Sequence, residues 1–246
     1  NPSFSGGLEV DSLRLAGLRS SGISTGLEYD GTNLTFENCR VAGYGGNIDL
    51  SAFSVKPTMM EWQMEGNISH MELEPLLAAL GMTGDSVPSG VVWGDFSAGG
   101  TKASMSDLSG KGELRVERGR LYDLPMLLSV LSVLDLRLPA ERPVSRAYCT
   151  YHIQDEKVVI DDLLLAGGSV PVYVSGDVEL KEDVPLKQQK LNLVFSVVNR
   201  KGILESIPII NWVKRLTVDQ IRSYVMQARV TGTVGEYEAV SLTQPI

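Results

Sequence analysis

The sequence predicts a β-dominated α+β fold: a curved, mainly antiparallel sheet forming a groove or half-barrel, with about three short helices packed at its concave face or end. Three observations lead there. Short stretches alternate apolar and polar residues, as at Leu191, Leu193, Phe195 and Val197, and period two is the period of a strand. Glycine, 25 of the 246 residues, punctuates those stretches where tight turns belong. Three apolar stretches open on proline, at Pro75-Leu76-Leu77, Pro125-Met126-Leu127 and Pro208-Ile209-Ile210, and each follows a strand region.

Taken in order, the segment Gly7 to Leu15 alternates at Leu8 and Val10 and then slips phase at Asp11-Ser12, which predicts a bulge or bend. Asp30-Gly31 lies between Leu27 and Tyr29 on one side and Leu34 and Phe36 on the other, a hairpin signal. Gly43-Tyr44-Gly45-Gly46 marks a second turn, after which Ile48, Leu50 and Ala52 alternate. Met60, Trp62, Met64, Gly66 and Ile68 fall in phase on one strand over 58–69. Pro75 to Leu80 is a helix stopped by Gly81. Strands follow over 90–100 and 104–116.

The stretch from Gly112 to Leu138 reads as strand, turn at Arg118-Gly119, and a helix with Asp123 as cap and Pro125 in its first turn. At 100° per residue, Leu124, Leu127, Leu128, Leu131 and Leu134 share one face of that helix, and Met126, Val130 and Val133 extend the apolar surface onto the next. Only Ser129 and Ser132 are polar. So wide an arc needs cover on more than one side, from protein or from another apolar phase. Beyond a loop at 139–143, strands are expected at 146–153, 157–160, 163–165, 170–180 and 190–198. A third helical region spans 201–216, where Trp212, Lys214 and Arg215 suit either a membrane interface or a packed helix with a basic last turn. A strand over 226–233 precedes a proline-containing tail.

Leu34 to Gly43 matches Val158 to Gly167 position by position: apolar 34 with 158, apolar 36 with 160, acidic 37 with 161, and Ala-Gly with Ala-Gly. Such a degenerate repeat predicts a sheet built from strand-plus-helix units, at about 1–82, 83–140 and 141–246, within one domain.

Composition narrows the function. Charged residues are 21% and hydrophobic residues 43%, the balance of a globular chain. The net charge is −8 with no basic run, which disfavours nucleic acid and simple adhesion to anionic lipid. No window of about 18 uncharged apolar residues exists to span a membrane. The start at Asn1 reads as a processed chain or an excised piece. The two histidines, His70 and His152, have no metal-ligand spacing around them, and no nucleophile elbow, phosphate loop or dinucleotide fingerprint is present. Asp161-Asp162 and Glu182-Asp183 are adjacent carboxylates, which a strand would send to opposite faces. No enzymatic activity and no cofactor are expected. Cys39 and Cys149 are compatible with one disulfide or with two free thiols.

Gly110-Lys-Gly-Glu-Leu-Arg-Val-Glu-Arg-Gly-Arg-Leu-Tyr-Asp-Leu-Pro-Met-Leu127, followed far downstream by Val230-Thr-Gly-Thr233, resembles the C-terminal region of AsmA-like proteins. That family shows a Gly-x-Gly, a strand, a Gly-x-Leu and a Leu-Pro helix, and closes on Val-x-Gly-Thr. Asp155-Glu156 replaces the family's usual Asp-Gly turn, and the proline that commonly follows the closing motif is missing. The resemblance covers about 26–242. It implies a curved β-sheet groove, apolar inside, that moves phospholipid through the periplasm towards the outer membrane. The parent protein would be anchored in the inner membrane by a segment outside this chain, and partners would be phospholipid acyl chains together with a membrane surface or an envelope protein.

Acyl chains need a continuous apolar surface, at about 0.8 kcal/mol per buried CH₂. The residues expected to supply it are Trp62, Met64, Leu114, Val116, Leu124, Leu128, Val130, Leu131, Leu193 and Phe195. The same alternation describes the inner face of any sandwich. The competing expectation is therefore a structural module that docks a partner or assists outer-membrane assembly without carrying lipid.

Overall fold

A computed structural model describes residues 3–15, 18–82, 87–101, 104–121, 125–136, 144–167, 171–198 and 225–242. The expected helix over 201–216 and the cap Asp123 lie outside these residues. The strands are β1 (Phe4–Val10), β2 (Leu13–Leu15), β3 (Leu18–Ser20), β4 (Gly22–Tyr29), β5 (Leu34–Gly43), β6 (Gly46–Lys56), β7 (Glu61–Glu72), β8 (Ser89–Thr101), β9 (Ser109–Arg120), β10 (Arg146–Gln154), β11 (Lys157–Ala166), β12 (Val172–Glu179), β13 (Lys190–Val198), β14 (Val225–Thr233) and β15 (Tyr237–Ser241). Two α-helices are described, α1 (Leu73–Ala79) between β7 and β8 and α2 (Pro125–Val133) between β9 and β10.

Thirteen strands form one antiparallel meander in the order β1-β4-β5-β6-β7-β8-β9-β10-β11-β12-β13-β14-β15, with β2 and β3 as a separate hairpin. Every main-sheet strand pairs with a neighbour in sequence except across that hairpin, so the topology needs only short connections. The phase slip at Asp11-Ser12 is where the chain leaves the sheet for the β2–β3 hairpin. Asp30 turns β4 into β5, its Oδ1 accepting from the backbone N–H groups of Thr32 (2.8 Å) and Asn33 (2.7 Å). Those hydrogen bonds hold its carboxyl below the usual carboxylate range. Tyr44 and Gly45 turn β5 into β6 with positive φ of 51° and 75°.

The connections differ between the two ends of the strands. The β2–β3 hairpin, α1 and α2 all lie at one end, here the upper one, because they follow β1, β7 and β9. The lower end carries the Asp30 turn, the two-residue turn at Asp155-Glu156 and the β14–β15 turn. The Asp155 and Glu156 φ values of 52° and 55° make a tight hairpin without glycine.

The sheet bulges repeatedly, at Ser24/Gly26, Leu50/Ala52, Ile68/Met71, Ser89/Val91, Thr150/Tyr151 and Ile160/Leu163. Bulges add twist and curvature. The two copies of the internal repeat are the strands β5 and β11, and each carries a bulge, at Asn38-Cys39 and at Asp161-Asp162. The bulge breaks the alternation assumed for Asp161 and Asp162, and both carboxylates are exposed.

One contiguous core lies at the C-terminal side. Leu127, Val130, Leu131 and Leu134 pack with Ala147, Leu165, Val172, Val174, Leu191, Leu193, Phe195, Val197, Ala228 and Val230, so strands β10 to β14 surround one side of α2. Leu127, Val130, Val144, Val172, Val197 and Val230 are fully buried, each contributing roughly 1.5–3 kcal/mol. α1 starts two residues before Pro75, on Leu73. β15 is a strand where the sequence suggested only a tail.

Candidate functional site

Directly opposed residues of antiparallel neighbours put their side chains on the same face. Following the register across the sheet gives a row that reads Val10, Ile23, Val41, Ile48, Ile68, Gly94, Leu114, Cys149, Leu163, Val174, Phe195 and Ala228, with no charged residue in it. At about 4.8 Å per strand it spans roughly 50 Å. Rows on either side are equally apolar. One reads Met71, Val92, Val116, Ala147, Leu165, Val172, Val197 and Met226. Another reads Phe53, Met64, Ala98, Gly110, Ile153, Val158, Val178 and Leu191. The opposite face carries Arg40, Asp49, Asn67, Asp95, Glu113, Thr150 and Asp162 in one row. One apolar and one polar face is what the alternation dictates.

Cover over the apolar face is uneven. Across β10 to β14 its upper part is sealed by α2, which packs on β14 and β15. Across β4 to β8, Ile23, Val41, Ile48, Leu50, Phe53 and Ile68 are only half-buried. Among the described residues α1 packs at the upper end of β7 and β8 and beside β3, and β3 lies against β5. Phe36 and Phe53 stack at 4.3 Å on this open part.

Glycine shapes the floor. A Cβ on Gly94 would strike the Glu113 carbonyl and come within 2.7 Å of Leu114 Cδ2. A Cβ on Gly112 would lie 2.7 Å from both the Asp95 carbonyl and Tyr151 Oη. Neighbouring large side chains thus lie across bare backbone, and β8 and β9 present a face with little relief.

The thiols report how dry the face is. Burial pushes the Cys149 thiol up to about 11, helped by the nearby Asp161 and Asp162 charges. Burial also raises Cys39, against a hydrogen bond from Thr25. Tyr151 is raised by burial and then by Cys149. Both cysteines are free. They stand five strands apart, roughly 24 Å, beyond any disulfide.

The expected lining residues divide into three groups. Trp62, Met64, Leu114 and Val116 lie half-buried on the apolar face. Val130, Leu131, Leu193 and Phe195 lie in the sealed core, at most 6% exposed. Leu128 is 48% exposed on the outer side of α2, and Leu124 lies outside the described residues. The helix arc is therefore split differently from the sequence expectation. Its covered side is Leu127, Val130, Leu131 and Leu134, and its open side is Pro125, Leu128, Ser132 and Val133. Met60, expected in phase with Trp62, is in the turn before β7 with φ 54° and 61% exposure. The half-buried Ile23, Val41, Ile48 and Ile68 were absent from the expected lining, although Ile48 and Ile68 stood in strands already recognised.

The histidines lie on the polar side. His152 Nδ1 is 2.9 Å from Asp161 Oδ1, and His70 packs its ring 3.8 Å from Trp93. Among the described residues no group of three His, Cys, Asp or Glu is placed to hold a metal. No described helix is long and apolar enough to cross a membrane. In comparisons with known proteins, no family model, curated protein or solved structure matches the chain.

Proposed function

We propose that this chain binds lipid without catalysis, holding acyl chains along an open groove whose floor is the apolar face of β4 to β9. The observation that carries this reading is the uninterrupted apolar row from Val10 to Leu114, half-buried over most of its length, with no second layer on β4 to β6 among the described residues. An ordinary sandwich would cover such a row, since leaving it wet forfeits about 25 cal/mol per Å². Acyl chains fit it because a flat apolar floor gains from every methylene laid on it and demands no polar partner. The resemblance to AsmA-like proteins adds the setting: the bacterial periplasm, with phospholipid moving along a longer groove of which this is the terminal part. Transfer is passive and runs down a gradient of lipid occupancy. The sealed β10–β14 core favours a second role within the same molecule, a structural end piece that closes the groove.

Native mass spectrometry of the gently purified protein tests this. Bound phospholipid is expected, and so is displacement of a fluorescent acyl probe by added phospholipid. A protein that carries no lipid and takes up no acyl probe overturns the reading and leaves the structural module.

A further inference from the structure

The described lysines and a cluster of arginines occupy opposite ends of the strands. Every described lysine lies in the lower half, whereas Arg118, Arg120 and Arg146 stand at the upper end and Arg115 just below them. All four are exposed. On the polar face Arg115 pairs across the ladder with Trp93 on one side and Tyr148 on the other, and the row continues through Leu164 to Tyr173. The Arg115 guanidinium lies 5.9 Å from the Trp93 ring, and Tyr148 is 40% exposed. Glu117, 3.3 Å from Arg115, is the carboxylate within this cluster. The next row down is acidic, with Asp95, Glu113 and Asp162.

We infer that this upper shoulder of β8 to β11 docks on an anionic phospholipid membrane. Guanidinium groups match phosphate with a fork of donors, and Trp and Tyr rings settle at headgroup depth. The acidic row beneath repels the same surface, so contact is confined to the shoulder and the sheet stands with its helix-bearing end towards the bilayer. The net charge of −8 conceals this segregation. The inference rests on the lipid reading for its purpose, since it places one end of the groove at a lipid source or sink. Its chemistry is separate from the groove.

The test is co-sedimentation of the 246-residue chain with phosphatidylcholine vesicles, with and without one third phosphatidylglycerol. Binding is expected only to the anionic vesicles and is expected to weaken between 0.1 and 0.5 M salt. The triple variant Arg115→Gln, Arg118→Gln, Arg146→Gln, checked for native circular dichroism, should bind roughly 100-fold more weakly, at about a factor of five per charge. Its acyl-probe uptake should equal that of the parent chain. Conversely, Ile68→Asp should lose acyl uptake and keep vesicle binding, so each reading fails on its own assay. Equal binding to neutral vesicles, unchanged binding by the triple variant, or no vesicle binding by the parent chain overturns the inference. The last outcome would leave the shoulder to an acidic protein partner.

Discussion

Strands β4 to β8 and strands β10 to β14 present the same apolar rows, yet among the described residues only the second set packs against α2. In β10 to β14 the rows meet α2, and Leu165, Val172, Phe195, Val197 and Val230 fall to 6% exposure or less. In β4 to β7 the residues in register with Phe195, namely Ile23, Val41, Ile48 and Ile68, stay half-buried, whereas Met71 and Val92, in register with Leu165 and Val172 at the upper end where α1 packs, are at most 5% exposed. The repeat makes the contrast sharp, because β5 and β11 share an apolar pattern and each carries a bulge, yet they differ in what lies above them. Burial in this molecule is therefore set by where a helix was inserted rather than by strand sequence. Helix α2, after β9, packs on β14 and β15, whereas α1, after β7, packs at the upper end of β7 and β8.

Substitutions at equivalent depth on the two sides break this comparison most directly. Val130→Asp places an unpaired carboxylate where exposure is zero and should cost several kcal/mol. Leu127→Ala removes a fully buried side chain and should cost about 2–5 kcal/mol. Chemical denaturation measures both. Near-native stability in either variant would mean that α2 does not seal the core in solution.

The thiol on the shared row gives the next largest effect. With its pKa pushed up to about 11, Cys149 holds about a hundredfold less thiolate at pH 8 than a thiol at the ordinary 9.0. Maleimide labelling followed by mass spectrometry should therefore be slow in the native chain, rise about tenfold per pH unit, and become fast in denaturant. Labelling at the rate of a free thiol would show a wetted face. Smaller still is the stability effect expected for Ile68→Asp, within about 1 kcal/mol because an open, half-wet position leaves the new carboxylate hydrated. Unfolding comparable to Val130→Asp would show that β7 is covered after all, and would sink the proposed groove.

Much of the sheet was legible in the chain. Alternation located β13 to the residue, and Asp30-Gly31 and Gly43 to Gly46 located their turns, because these signals are local. The slip at Asp11-Ser12 was legible as an irregularity but not as a departure from the sheet. β15 was missed because Tyr237, Ala239 and Ser241 give only a weak apolar face, and the strand is secured by pairing with β14. The lining residues were legible as apolar; whether they are open or sealed was not, since α2 meets β14 and β15 about a hundred residues downstream. The arginine shoulder was invisible in a net charge, which sums over ends that only folding separates.

Leu128 decides the remaining ambiguity of α2, at the smallest expected effect. Its arc carries Leu128 and Val133 beside Pro125 and Ser132, so sequence alone could not say which side faced outward. Leu128 is 48% exposed, and Ser129 Oγ on the same side donates to the Pro125 carbonyl at 3.0 Å instead of to a partner element. Leu128→Gln should therefore change stability by no more than about 0.5 kcal/mol. A loss of about 2–3 kcal/mol, matching Leu127→Ala, would mean that a second layer covers this arc in solution. α2 would then be sealed on both sides, a plug at the end of the proposed groove rather than a wall with one apolar side open.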